Sequence, residues 1–252
     1  MKSHEWKGAF LMVDFQPKSS YTVQDLVCIV ELLRDPQEGC PWDIEQTHES
    51  IRMNFIEETY EAVDAIDQKD AHLLCEELGD VMLQVVLHSQ MEAEQNAFTF
   101  DDVCDGICKK LVYRHPHVFG DTAVASTSEA LENWEALKNK EKARATAKDR
   151  LESVPRCFPA LMRASKLQKR AAEYGFGNES SEQVLQSLKQ KIEELEQQMK
   201  MGQKPEQQMG EVLFAAAGLA RSFHLDPEEV LTDASDRFEA HVVQCEESAE
   251  KQ

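Results

Sequence analysis

Helix breakers are scarce in this sequence: 252 residues contain only 10 Gly and 8 Pro. Glu, Gln, Leu, Lys and Ala are plentiful, a balance that favours an all-helical protein over a sheet or a loop-rich fold. Positive charge is scarce too. Lys and Arg total 27 against 47 Asp and Glu, for a formal net charge of −20. That argues against non-specific binding to nucleic acid or to anionic membrane, both of which need a basic surface. No apolar run approaches the ~20 residues of a membrane span. The 7 Cys form no Cys-x-x-Cys pair and no signal peptide is present, so a reduced, cytoplasmic setting is expected. An anionic substrate must then arrive with a metal ion or meet a local basic patch.

What the chain has in quantity is acid, concentrated between Glu57 and Asp80. The stretch reads Glu57-Glu58-Thr-Tyr-Glu61 and then Glu76-Glu77-Leu-Gly-Asp80. Periodicity predicts two helices, Asn54–Ile66 and Leu73–Met91, joined by a polar turn at Lys69-Asp70. Glu57, Glu58 and Glu61 share an arc of about 100° on the first helix. Glu77 and Asp80 share a face of the second. A solvated face suits the first helix, because Phe55, Ala62, Val63 and Ile66 point the other way. The second resists that reading. Leu74, Leu78, Val81, Met82, Leu83, Val85, Val86 and Leu87 wrap most of its circumference, which predicts a helix buried nearly all round. Buried carboxylates need partners, and either opposed acids around Mg²⁺ or salt bridges to Lys and Arg satisfy them.

The other elements follow from caps and breakers. A first helix is expected over Thr22–Arg34 with Thr22 as N-cap, then a turn through Asp35-Pro to Pro41-Trp-Asp43, with Trp42 as a packing anchor and Asp43 as a cap. Asp101 or Asp102 is expected to cap a helix running to about His115. Lys110 and Arg114 share a face of that helix, either as surface cations or as a clamp for an oxyanion. Cys104, Cys108, His115 and His117 do not have a standard zinc spacing. A further helix starts at Ser126 or Ser128 and runs to Ala145. The expected division is an irregular lead-in at 1–21, a first unit at 22–145, a linker at 146–159 and a second unit at 160–248. Helices are expected there at 160–174, 181–201 and 207–224, with a last one from Asp226-Pro227. Residues 246–252 are expected to fray.

The two units are related in sequence. Glu77-Leu-Gly-Asp80 and the apolar run behind it align with Gln208-Met-Gly-Glu211 and its own run. Upstream, Glu57, Glu58 and Glu61 align with Gln190, Lys191 and Glu194. Downstream, Lys110 faces Arg237 and Arg114 faces His241. The first unit keeps a full carboxylate set, whereas the second has lost most of it. A Lys ammonium cannot ligate Mg²⁺, and a neutral amide is a weak substitute for a carboxylate.

Five blocks in order resemble the MazG family of nucleoside triphosphate pyrophosphohydrolases. They are Cys40-Pro-Trp-Asp43 with Gln46-Thr47-His48; the acids Glu57, Glu58, Glu61, Glu77 and Asp80; Lys110 to Asp121 through Arg114; Asn133-Trp-Glu135; and Val154 to Ala164. The resemblance covers nearly the whole chain beyond the lead-in. It implies an all-α fold of tandem units with four-helix-bundle-like cores completed in a homodimer. It also implies Mg²⁺-dependent hydrolysis of NTPs or dNTPs to the monophosphate and pyrophosphate, with Mn²⁺ as a possible substitute. By motif matching, Glu58, Glu61, Glu77 and Asp80 are the metal ligands and Glu57 is an auxiliary ligand or orients the water. Lys110 and Arg114 sit where the family contacts the triphosphate. In some two-unit relatives the second unit is the active one. Here the retained acids assign catalysis to the first and folding, dimerisation or regulation to the second. The alternatives are a catalytically weak helical scaffold and an enzyme restricted to one modified or deoxy nucleotide.

Overall fold

A computed structural model describes residues 15–141, 146–177 and 179–249, and every regular element in them is helical. The chain divides into two compact units, one ending at Trp134 and the other beginning at Glu135. The first unit carries α1 (Val23–Leu33), α2 (Pro41–Glu45), α3 (Arg52–Gln68), α4 (Ala71–Glu94), α5 (Phe100–Arg114) and α6 (Pro116–Phe119). The division falls inside α7 (Thr127–Glu141), whereas the sequence places the join at 146–159. Residues 1–14 of the expected lead-in and 142–145 of the expected seventh helix lie outside the described residues.

Local chemistry sets the helix ends. The Thr22 hydroxyl accepts from the Asp25 N–H at 3.4 Å, and the Asp25 carboxylate accepts from the Thr22 N–H at 2.9 Å, a reciprocal capping box that starts α1. Thr99 and Asp102 form the same box at the start of α5, so the cap is Thr99 and Asp102 is its partner. Lys69 terminates α3 in the left-handed conformation (φ 58°). Asp70 then accepts from the N–H groups of His72 and Leu73 at 2.9 and 3.1 Å and starts α4. Two residues thus reverse the chain, and α3 and α4 pack as an antiparallel hairpin.

The core of the first unit is small: Val30 of α1, Ile51 before α3, and Val86, Leu87 and Met91 of α4, with Phe100 against them. Arg34 ties this core to the turn. Its Nε and Nη2 donate to the two carboxylate oxygens of Glu94 at 2.6 and 2.8 Å, and Nη1 reaches the carbonyls of Asp43 and Gln46. The expectation that α4 is buried nearly all round holds only for its C-terminal half. Leu78 and Met82 are 51% and 44% exposed, because the packing of α1, α3 and α5 on α4 leaves these two side chains uncovered within the first unit.

The second unit holds α8 (Ala147–Glu152), α9 (Ala160–Ala172), α10 (Ser181–Lys200), α11 (Glu206–Ser222) and α12 (Pro227–Ala249). Helix α8 occupies part of the stretch read as a linker, and its buried Arg150 pairs with Glu173 and, at 3.5 Å, with Glu135. Helices α10 and α11 form a second hairpin, against which α9 packs through α11. Helix α12 runs on to Ala249 rather than fraying at Glu246, and residues 250–252 lie outside the described residues. No described helix is long and apolar enough to cross a membrane.

Arg34→Ala strips Glu94 and two carbonyls of their donor and should cost about 2–3 kcal/mol by urea denaturation. Arg34 holds the Glu94 carboxyl below its ordinary value of 4.5. A depressed folded-state pKa gives stability that is present above the unfolded value and lost as pH falls, so the deficit of Arg34→Ala should narrow as pH falls below 4.5.

Candidate metal centre

The α3–α4 hairpin brings Glu58 of one helix together with Glu77 and Asp80 of the other in one cluster. One carboxylate oxygen each from Glu58, Glu77 and Asp80 lies within 4.8 Å of the others. These three side chains are partly buried. Glu61, one turn along α3 from Glu58, adds its negative charge to both Glu58 and Glu77. Glu57 adds its charge from the same helix without joining the three. Three of the five acids expected at the site are thus gathered together, with Glu61 and Glu57 beside them on α3.

Burial, with the charges of Asp80 and Glu61, pushes the Glu58 carboxyl above its ordinary value. Burial, then Glu61, Asp80 and Glu76, does the same for Glu77. Like charges at these separations disfavour ionisation of the set. Among the described residues, none of Glu57, Glu58, Glu61, Glu77 and Asp80 forms an ion pair with Lys or Arg. A hard divalent cation is what this all-oxygen donor set lacks and fits. A salt-bridge network, the competing sequence reading, is not formed here.

The basic pair behaves less uniformly. Lys110 is exposed on α5, while Arg114, four residues on, is buried with its guanidinium carbon 5.4 Å from the centroid of the Trp134 ring. Helix α5 packs against α4, the helix carrying Glu77 and Asp80. The expected shared face is therefore split between a free-standing cation and a stacked one.

A second polar group was not among the site residues expected from the sequence. The Nδ1 atoms of His48 and His88 lie 2.7 Å apart, a separation that requires one to donate and the other to accept. The other nitrogen of His48 meets Glu92 at 2.9 Å. The rings stack at 5.0 Å, Phe55 sits 5.7 Å from His88, and burial lowers the His88 pKa. These side chains, with Arg52 and Phe98, line a cavity of about 640 Å³. The available signal was the spacing Asp80, Gln84, His88, Glu92, one residue per turn along α4. Gln84 in that row is 7% exposed, and its Oε1 has no hydrogen-bond partner. Cys104, Cys108, His115 and His117 form no metal-type cluster among the described residues.

The MazG nucleotide pyrophosphohydrolase domain matches residues 46–119, a stretch that contains every acid of the cluster together with Lys110 and Arg114. The chain is 41% identical over 221 residues to a nucleoside triphosphate pyrophosphohydrolase of Escherichia coli K12, covering 86% of this chain and 84% of that protein. This chain belongs to the MazG family. A second relative, the nucleoside triphosphate pyrophosphohydrolase/pyrophosphatase MazG of Thermotoga maritima, is 40% identical over 228 residues, 90% of this chain and 87% of its own. The protein YabN of Bacillus subtilis is 40% identical over 229 residues, 89% of this chain and 46% of its own length. The acidic hairpin described above is thus the part of this MazG chain that the domain match covers.

Crowding of the MazG acids has a measurable cost. A carboxyl whose folded-state pKa is raised favours the folded state below its unfolded value, and that advantage is lost as pH rises through the folded value. Glu58→Gln removes one charge from the cluster. In EDTA at pH 7 it should raise the melting temperature, and the gain should disappear below about pH 4.5, where the wild-type acid is protonated.

Proposed function

We propose that this chain is a nucleoside triphosphate pyrophosphohydrolase that converts an NTP or dNTP and water into the monophosphate and pyrophosphate, with the reaction in the first unit. The observation that carries this reading is the convergence of Glu58, Glu77 and Asp80, with the charge of Glu61 beside them and no Lys or Arg paired to these acids among the described residues. These four acids would hold Mg²⁺, for which Mn²⁺ is a chemical substitute. When bound, such an ion neutralises phosphate oxygens and acts as a Lewis acid at the reacting group.

The protein's own groups do the rest. Glu57, next to the four ligands, accepts a hydrogen bond from the attacking water and orients it toward the α-phosphorus. The water oxygen forms the new bond to phosphorus while the bond to the bridging oxygen breaks, and pyrophosphate leaves with the electron pair. Lys110 and Arg114 meet the charge that grows on the leaving group, Arg114 held in orientation by Trp134. The cluster offers acids rather than base-reading donors, which favours use of several nucleotides.

The proposed assembly is a homodimer. Tyr60, Val63 and Ile66 on α3, together with Leu78 and Met82 on α4, leave an apolar surface on the hairpin that the described chain does not cover. A second hairpin laid on it would complete a four-helix core. Light scattering should give a dimer mass for the wild type and a monomer mass for Val63→Glu.

Phosphate products resolved by chromatography test the reaction on a mixed NTP and dNTP panel with Mg²⁺. Pyrophosphate, not orthophosphate, should appear. Asp80→Asn should lower its release at least about 100-fold, since changes one shell further out already cost 10–100-fold. Gln208→Ala, at the corresponding helix of the second unit, should leave release unchanged. Loss in Gln208→Ala with retention in Asp80→Asn would reverse the assignment of units.

A further inference from the structure

The second unit does not leave its remaining acids bare. Lys191 of α10, the counterpart of Glu58, places its Nζ 3.0 Å from Glu194 Oε2 and 2.7 Å from Glu211 Oε2. Glu194 and Glu211 are the counterparts of Glu61 and Asp80, so the ammonium bridges the α10–α11 hairpin where the acids of the first unit face one another. Its hydrogen bonds to Glu211 and Glu194 raise the Lys191 pKa, and the Lys191 bond lowers that of Glu211. Gln208, in the place of Glu77, contributes no charge.

Beside this bridge lies a cavity of about 780 Å³, walled by α9, α10 and α11 within the one unit. That size falls within the range of small-ligand sites, about 300–1,000 Å³. Leu167, Val184 and Phe214 give it apolar walls. Two lining residues carry buried polar atoms without hydrogen-bond partners among the described residues: Gln168 Oε1, an acceptor, and Arg221 Nε, a donor. The Gln168 amide is fixed by its Nε2, which donates to the Phe214 carbonyl at 2.8 Å. A Cβ at position 218 would meet Gln168 Oε1 at 2.9 Å, so Gly218 leaves that acceptor its place. Apolar walls with one buried donor and one buried acceptor suit a planar heteroaromatic ring. The charge balance opposes a polyphosphate. Lys191 is consumed by two carboxylates, Glu179 and Glu211 line the same cavity, and Arg221 is the one other cation among the described residues of its wall.

We propose that the second unit is a metal-free binding site for the nucleoside part of a nucleoside or nucleoside monophosphate, the phosphate of the latter left toward solvent, with the Lys191 ammonium standing where a divalent cation would stand in the first unit. The choice of a nucleoside over another heteroaromatic rests on the pyrophosphohydrolase reading, since the unit is a copy of the one that handles nucleotides. The product of the first unit then has a second place to bind that needs no cation, and its occupancy reports nucleotide turnover.

Calorimetric titration of the full chain in EDTA with AMP, GMP, CMP and UMP tests this, with ATP as the counter-probe. At least one monophosphate should bind saturably with one site per chain, and ATP should bind at least about tenfold more weakly. Ala215→Trp, which fills the cavity, should weaken the monophosphate at least about tenfold, and Glu58→Gln should leave its affinity unchanged. Gln168→Leu serves in place of Ala215→Trp if circular dichroism shows the latter unfolded, with the same expectation. No saturable binding in EDTA, ATP binding as tightly as the monophosphates, or loss in Glu58→Gln with retention in the cavity variant would overturn the proposal. Pyrophosphate release from the same preparation separates the two readings. EDTA-resistant binding without release refutes the reaction alone, and release without EDTA-resistant binding refutes this site alone.

Discussion

Mutual repulsion of carboxylates across the α3–α4 hairpin is the constraint on which the rest of the first unit turns. Glu58 and Glu61 on one helix face Glu77 and Asp80 on the other, and the charged form of both Glu58 and Glu77 is disfavoured. Selection for stability alone would remove such a cluster or set a Lys in it, because unpaired, partly buried charge is costly. The hairpin is instead fixed in register by the two-residue turn at Lys69-Asp70, which sets Glu58 opposite Asp80. The core at Val86, Leu87 and Met91 then anchors α4 from its far end. Repulsion is thereby built into a frame that relieves it only by protonation or by taking up a cation.

The second unit presents the same frame with the repulsion removed. Its hairpin keeps two of the four acids and supplies Lys191 between them, at hydrogen-bond distance from both. An ammonium and a divalent cation answer the same electrostatic demand with different consequences. A tethered ammonium satisfies its carboxylates permanently, whereas a divalent ion retains coordination positions for phosphate oxygens. One duplicated scaffold therefore carries both answers, and the difference lies in very few side chains.

Much of this was legible in the sequence because it depends on short-range geometry. The Thr22 cap, the turn at Lys69-Asp70 and the i, i+3 and i, i+4 acids follow from local sequence alone, whereas the reciprocal box at Thr22 and the Asp70 cap came from the structure. The opposition of the two acidic sets also followed, since a short turn between two helices favours an antiparallel pair. Tertiary partners were not legible. The His48–His88 contact joins residues 40 apart in sequence through the packing of the turn before α3 onto α4, and Lys191 read as a lost ligand rather than as a substitute cation. The expectation that α4 is buried all round failed for Leu78 and Met82 because an apolar pattern records what a surface needs covered, not whether the same chain covers it.

The central claim is that the bare acids of the first unit, and not the bridged acids of the second, bind the divalent ion. Manganese titration followed by electron paramagnetic resonance measures it directly, because bound Mn²⁺ leaves the free-ion signal. The full chain should show saturable binding that Asp80→Asn abolishes, even though Lys191, Glu194 and Glu211 remain intact. Saturable binding that persists in Asp80→Asn would contradict the account.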